Sequence, residues 1–152
     1  MFHRYPHESD IYPSLSRIPL HVRMKLDLTG IKISLKDWLA FGMEERAVLC
    51  HLPVESEEEK EVFSAYLDCL SRRYCGGPVA TTAAVSSSLW DTAHPVPEPV
   101  AGKSAPDIPP VTVQEWRRWK SHHRYALYKT ALSQSDPAQF FAVLQALRAS
   151  ED

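Results

Sequence analysis

The chain has 152 residues, a net charge of −2 and an apolar fraction of 44%, the profile of an ordinary globular protein with a core large enough to need no metal or disulfide. No run of about 18 apolar residues is present, and the opening MFHRYPHESD lacks the apolar stretch of a secretion signal, so no transmembrane helix and a cytoplasmic location are expected. Residues 1–17 hold aromatics and histidines without a period and read as an irregular N-terminal arm.

Residues 19–28 carry two signals. PLHVRMKLDL alternates apolar and polar residues, as a strand does. Against that, Pro19 suits a helix start and Gly30 suits the position just past a helix end, and helix is the favoured reading. Ser34 with Asp37 then opens a short helix to about Phe41, and Met43, with Glu44 and Glu45 behind it, opens another that ends before Pro53. Ser56 with Glu59 is a capping box, followed by a stripe of Phe63, Tyr66, Leu67, Leu70 and Tyr74 at three- and four-residue steps; Gly76 and Gly77 close the helix. Residues 78–110 contain Pro78, Pro95, Pro97, Pro99, Pro106, Pro109 and Pro110 and read as a long loop anchored by Trp90. Thr112 and Glu115 form another capping box, Ser121 marks a break, and Asp136–Pro137 is expected to cap a last helix with Phe140, Leu144 and Leu147 on its inner face.

The expected fold is therefore all-α, a small multihelical single domain over 1–152. It comprises an arm (1–17), a first helical half (18–77), a Pro-rich loop (78–110) and a second helical half (111–152). The halves share a pattern. ISLKDWLAFGMEERAVL, from Ile33, and VTVQEWRRWKSHHRYAL, from Val111, align at an offset of 78 with a cap, an acid, a Trp (Trp38, Trp116), an aromatic, an Arg (Arg46, Arg124) and a Leu in step. This predicts two short helix-turn-helix units, each with an inward Trp and an Arg that closes the turn onto backbone carbonyls or onto the acid.

Nothing catalytic emerges. There is no G-x-G-x-x-G, no G-x-x-x-x-G-K and no G-x-S-x-G. The seven histidines lack the spacing of H-E-x-x-H, and Cys50, Cys69 and Cys75 lack C-x-x-C spacing and read as reduced thiols. No enzyme activity, metal or other cofactor is expected. One electrostatic feature stands out: Arg117, Arg118, Lys120, Arg124 and Lys129 are interleaved with Trp119, Tyr125 and Tyr128, with no acid between Trp116 and Lys129. Such a segment could bind an acidic protein surface, or nucleic acid as the alternative, though the net charge is not basic.

Residues 18–49 and the leucine–proline step after them carry a resemblance. Ile18, Pro19, Val22, Arg23, Lys25, Leu26, Asp27, Gly30, Ile31, Lys32, Ser34, Leu35, Trp38, Glu45, Arg46, Leu52 and Pro53 fall on a pattern that resembles the signature block of the nitrate-reductase-associated protein family; Trp90, Trp116, Arg124, Leu127 and Lys129 match its sparser second half. Arg17 stands where the family often has Cys, and Met24 replaces an aromatic. The resemblance implies a helical accessory protein, not an enzyme, whose protein partner is assimilatory nitrate reductase. Nucleic acid ranks below that partner, and the oligomeric state is left open. The residues expected to meet the partner are Arg23, Lys25, Arg117, Arg118, Lys120 and Arg124. Pro19, Gly30, Trp38, Arg46, Trp90 and Trp116 are expected to be structural.

Overall fold

The computed structural model describes residues 2–91 and 96–150; His94 and Pro95 lie outside the described residues. Of the described residues 57% are helical, with one two-stranded sheet. The chain sorts into two compact units, one of residues 1–4 and 8–86, the other of residues 5–7 and 87–152.

The first unit holds four helices, α1 (Leu20–Thr29), α2 (Leu35–Ala40), α3 (Met43–His51) and α4 (Glu57–Tyr74). The segment with two signals is helical. Its inward residues are Leu20, His21, Val22, Lys25 and Leu26, a helical spacing in which two of the five are polar. That mixture hides the 3.6-residue period from a hydrophobicity reading. Pro19 is the residue before α1, and Gly30 ends it in the left-handed conformation, φ 70°, with its N–H donating to the Leu26 carbonyl. Ser34 and Asp37, and Ser56 and Glu59, form reciprocal capping boxes at α2 and α4. Within the α4 stripe Phe63, Leu67 and Leu70 are buried, whereas Tyr74, in the last turn, is exposed.

Two features correct the sequence reading. Residues 1–17 are irregular but not peripheral: Ile11 and Leu15 are buried in the first unit and Tyr5 in the second. Residues 78–110 are not simply loop. Ala80–Thr81 (β2) pairs antiparallel with Ile31–Lys32 (β1), Ile31 opposite Thr81, a 3-10 turn covers Ser87–Leu89, and α5 spans Glu98–Ala101 with Pro99 in its first turn. Strands of two residues and a helix of four are too short to show a period.

The sheet explains Gly30. Thr82 N–H donates to the Gly30 carbonyl at 2.8 Å, and a Cβ at position 30 would lie 2.6 Å from the Thr82 carbonyl oxygen. Gly30→Ala therefore meets a backbone clash and a left-handed φ together. A loss of about 2 kcal/mol or more is expected in denaturant melts, with early exchange of the Thr82 amide; a variant as stable as the parent would contradict this.

The second unit holds α5, α6 (Val113–Arg118), α7 (Ser121–Leu132) and α8 (Ala138–Ala149). Thr112 and Glu115 form the expected capping box. Asp136 does not cap the last helix with its side chain. Pro137 is the residue before α8, no side chain caps it, and Asp136 contributes its backbone carbonyl to Gln139 N–H. Phe140, Leu144 and Leu147 face inward together with Val143.

The offset of 78 carries into structure. α2 and α6 begin 78 residues apart, as do α3 and α7. In the first unit α1 packs on α3, and in the second α5 packs on α7. Trp38 and Trp116 are both fully buried. Both arginines close their turns onto carbonyls rather than onto the acid: Arg46 Nε donates to Phe41 O at 3.2 Å and Arg124 Nε to Trp116 O at 2.8 Å. Asp37 and Glu115 are held in their capping boxes. The units differ at the indole. Trp38 Nε1 donates to Leu15 O at 2.8 Å, a carbonyl presented by a leucine at φ 49° that also accepts from Arg46 Nη1 at 2.9 Å. Among the described residues Trp116 Nε1 is buried without a hydrogen-bond partner.

Candidate functional site

Three of the residues expected to meet a partner lie at the corner between α6 and α7. Arg117 and Arg118 end α6, Lys120 precedes α7, and all three are exposed. Beneath them the aromatics are packed away: Trp119 and Tyr125 are buried, and Trp90 meets Tyr125 edge-to-face at 4.9 Å. Trp119 and Tyr125 are thus core and Tyr128 is half-buried, which removes the largest of the stacking surfaces that single-stranded nucleic acid would use. Trp90 Nε1 donates to Ser121 Oγ at 3.3 Å.

Arg124 is turned onto the corner itself. Its Nε and Nη2 donate to the carbonyls of Trp116 and Arg117, and its Nη1 lies 3.2 Å from Asp91 Oδ1. The guanidinium is spent bracing the corner, and half-buried pairs of this kind outlast exposed ones. Asp91 also accepts from Ser121 Oγ at 2.6 Å. The basic segment, acid-free in sequence, therefore has a carboxylate folded onto it from 33 residues away. No spacing rule reveals Asp91; only its position beside Trp90 ties it to a known anchor. A second brace joins α6 to α8, where Arg148 makes a forked pair with Glu115 at 2.8 and 2.9 Å. The Arg148 guanidinium holds the Glu115 carboxyl below its ordinary value.

Of the two candidates on α1, Arg23 is exposed and Lys25 is not. Lys25 is 1% exposed, and its Nζ donates to the carbonyls of Cys50 at 2.6 Å and Leu49 at 3.2 Å. These belong to the last turn of α3, whose carbonyls lack intrahelical donors and carry the negative end of the helix dipole. The assignment of Lys25 to a partner surface is thus overturned: the helical period of α1 turns it inward with Val22 and Leu26, where it serves as the cap of α3. Burial lowers its pKa to about 8, and burial raises the Cys50 thiol to about 11.

Of the other motif residues, Trp38 and Arg46 meet in the same unit. Leu15 O receives both Trp38 and Arg46, and Arg46 also reaches Ser14 O. Glu8 accepts from Leu20 N–H and Tyr12 OH, so a carboxylate distant in sequence caps the α1 N-terminus; burial raises its pKa. The dense block at 18–49 is in large part a recipe for holding α1, α2 and α3 together.

Among the described residues no group of three or more His, Cys, Asp or Glu side chains is arranged to hold a metal ion, and no helix is long and apolar enough to cross a membrane. Cys50 is buried, and Cys69 and Cys75 are exposed and free. No curated protein and no solved structure matches the chain. A family model does, over residues 4–147, nearly the whole length. The chain belongs to the conserved nitrate reductase-associated protein family.

Proposed function

We propose that this chain is a non-catalytic accessory factor that binds assimilatory nitrate reductase in the cytoplasm and supports its activity, docking through the α6–α7 corner. The observation that supports this reading is the combination at that corner: three exposed cations, Arg117, Arg118 and Lys120, on a turn that Arg124 and Asp91 hold in place. A braced basic corner costs little further ordering on binding and steers an acidic partner into register.

The test is charge reversal. Arg118→Glu with Lys120→Glu should leave the melting temperature nearly unchanged, because exposed charges add little to stability. Association with purified reductase at low salt should slow by about tenfold and lose much of its salt dependence. In cells, reductase activity should fall while reductase protein does not. Unchanged association by the folded double variant would rule out this corner. Salt-dependent retention of the parent on DNA, lost in the variant, would favour a nucleic-acid partner instead.

A further inference from the structure

In the first unit the segment 2–4 lies on the first turn of α1. The His3 backbone N–H donates to His21 Nδ1 at 3.0 Å. The Phe2 ring stacks on the His21 imidazole, 6.4 Å between centroids and 11° between planes, and the His3 ring meets it edge-on at 4.6 Å. Phe2 also meets His51 of α3 at 5.6 Å, and the Arg4 guanidinium lies over the Phe2 ring at 4.9 Å. His21 itself is only 4% exposed.

We infer that His21 is a proton-operated latch: its neutral imidazole holds segment 2–4 on α1, and its protonation releases that segment. A nitrogen that accepts an amide N–H has no lone pair left for a proton, so the imidazolium and the His3 hydrogen bond exclude one another. The surroundings act in the same direction. His21 is in the first turn of α1, where the helix dipole opposes a cation. On α1 the buried ammonium of Lys25 is one turn further along. Segment 2–4 adds Arg4 and the titratable His3, and α3 adds His51 and the Cys50 thiol. Glu8 is an acid on this side, with its carboxylate engaged by Leu20 N–H and Tyr12 OH and its charge disfavoured by burial.

The sign follows directly. The latched state binds fewer protons than the released one, so the latch is closed above the ordinary imidazole pKa, about 6.5, and its equilibrium shifts towards release by up to about tenfold per pH unit below it. This inference is independent of the nitrate-reductase reading.

The experiment is NMR on the full chain. It follows the His21 ring nitrogens and the protection factor of the His3 amide, corrected for the intrinsic pH dependence of exchange, between pH 7.5 and 5.5. His21 should titrate together with the Phe2–Arg4 resonances, and His3 protection should fall about tenfold. His21→Asn keeps an acceptor near the Nδ1 position but does not titrate, so it should hold the segment at both pH values. His21→Phe should release it at both, with a melt at pH 7.5 confirming that α1 remains folded. Constant His3 protection in the parent across this range, or an undiminished pH response in His21→Asn, would overturn the inference.

Discussion

Trp38→Ala should destabilise the protein by about 3–5 kcal/mol in denaturant melts, because it removes a fully buried indole and leaves a cavity lined by close-packed neighbours. Trp116→Ala should fall in the same range, being equally buried. The Phe variants should separate the two. Trp38→Phe loses a hydrogen bond to Leu15 O as well as volume. That carbonyl keeps Arg46 as a donor, so the lost bond costs about 0.5–1.5 kcal/mol and orphans nothing. Trp116→Phe loses volume but also removes a buried N–H that has no partner among the described residues, a relief of about 1–3 kcal/mol. Trp38→Phe should therefore be the more damaging by about 2 kcal/mol. Equal losses, or the reverse order, would show that the indole environments are not as the hydrogen bonds describe them.

That pair marks how far the sequence could be read. The capping boxes at Ser34, Ser56 and Thr112 are legible because each is complete within four residues and needs no tertiary partner. The offset of 78 is legible because cap, Trp and Arg recur in step, and the arginines lie on the carbonyls at the turns, one of the two arrangements that spacing allows. The different fates of the two indoles are not, since Trp38 depends on Leu15, 23 residues upstream. Asp91 on Arg124 and Arg148 on Glu115 each span 33 residues, and long-range pairs leave no local trace. α5 and β2 were hidden for the opposite reason, being too short to carry a period in a proline-rich stretch. At the α6–α7 corner, composition identifies Arg117, Arg118 and Lys120, but only the fold separates them from Arg124. Lys25 was misplaced because a lysine is by default a surface residue; nothing in MKLD indicates that its neighbour in space is the end of another helix.

Lys25 should prove as consequential as the buried tryptophans. Lys25→Ala removes three methylenes and the ammonium from a site that is 1% exposed and leaves the Leu49 and Cys50 carbonyls without this donor. The expected loss is about 3–5 kcal/mol. Lys25→Met keeps the volume and removes the charge, and should cost less. The pH dependence then tests the mechanism. The folded-state pKa of Lys25 is lowered to about 8 from an ordinary 10.5, so between these values the unfolded chain holds more protons and stability rises with pH. The Cys50 thiol is raised to about 11 from 9. Between those values the folded chain holds more protons, and stability falls with pH. Between pH 8 and 9 the Lys25 effect outweighs that of the thiols, and stability should climb by up to about 1 kcal/mol. Between pH 9 and 10.5 the two slopes oppose each other, and the curve should flatten. Cys50→Ala should extend the climb towards pH 10.5, whereas Lys25→Met should abolish it. A rise between pH 8 and 9 that survives in Lys25→Met would mean that another group is responsible and that the Lys25 ammonium is not held against the end of α3.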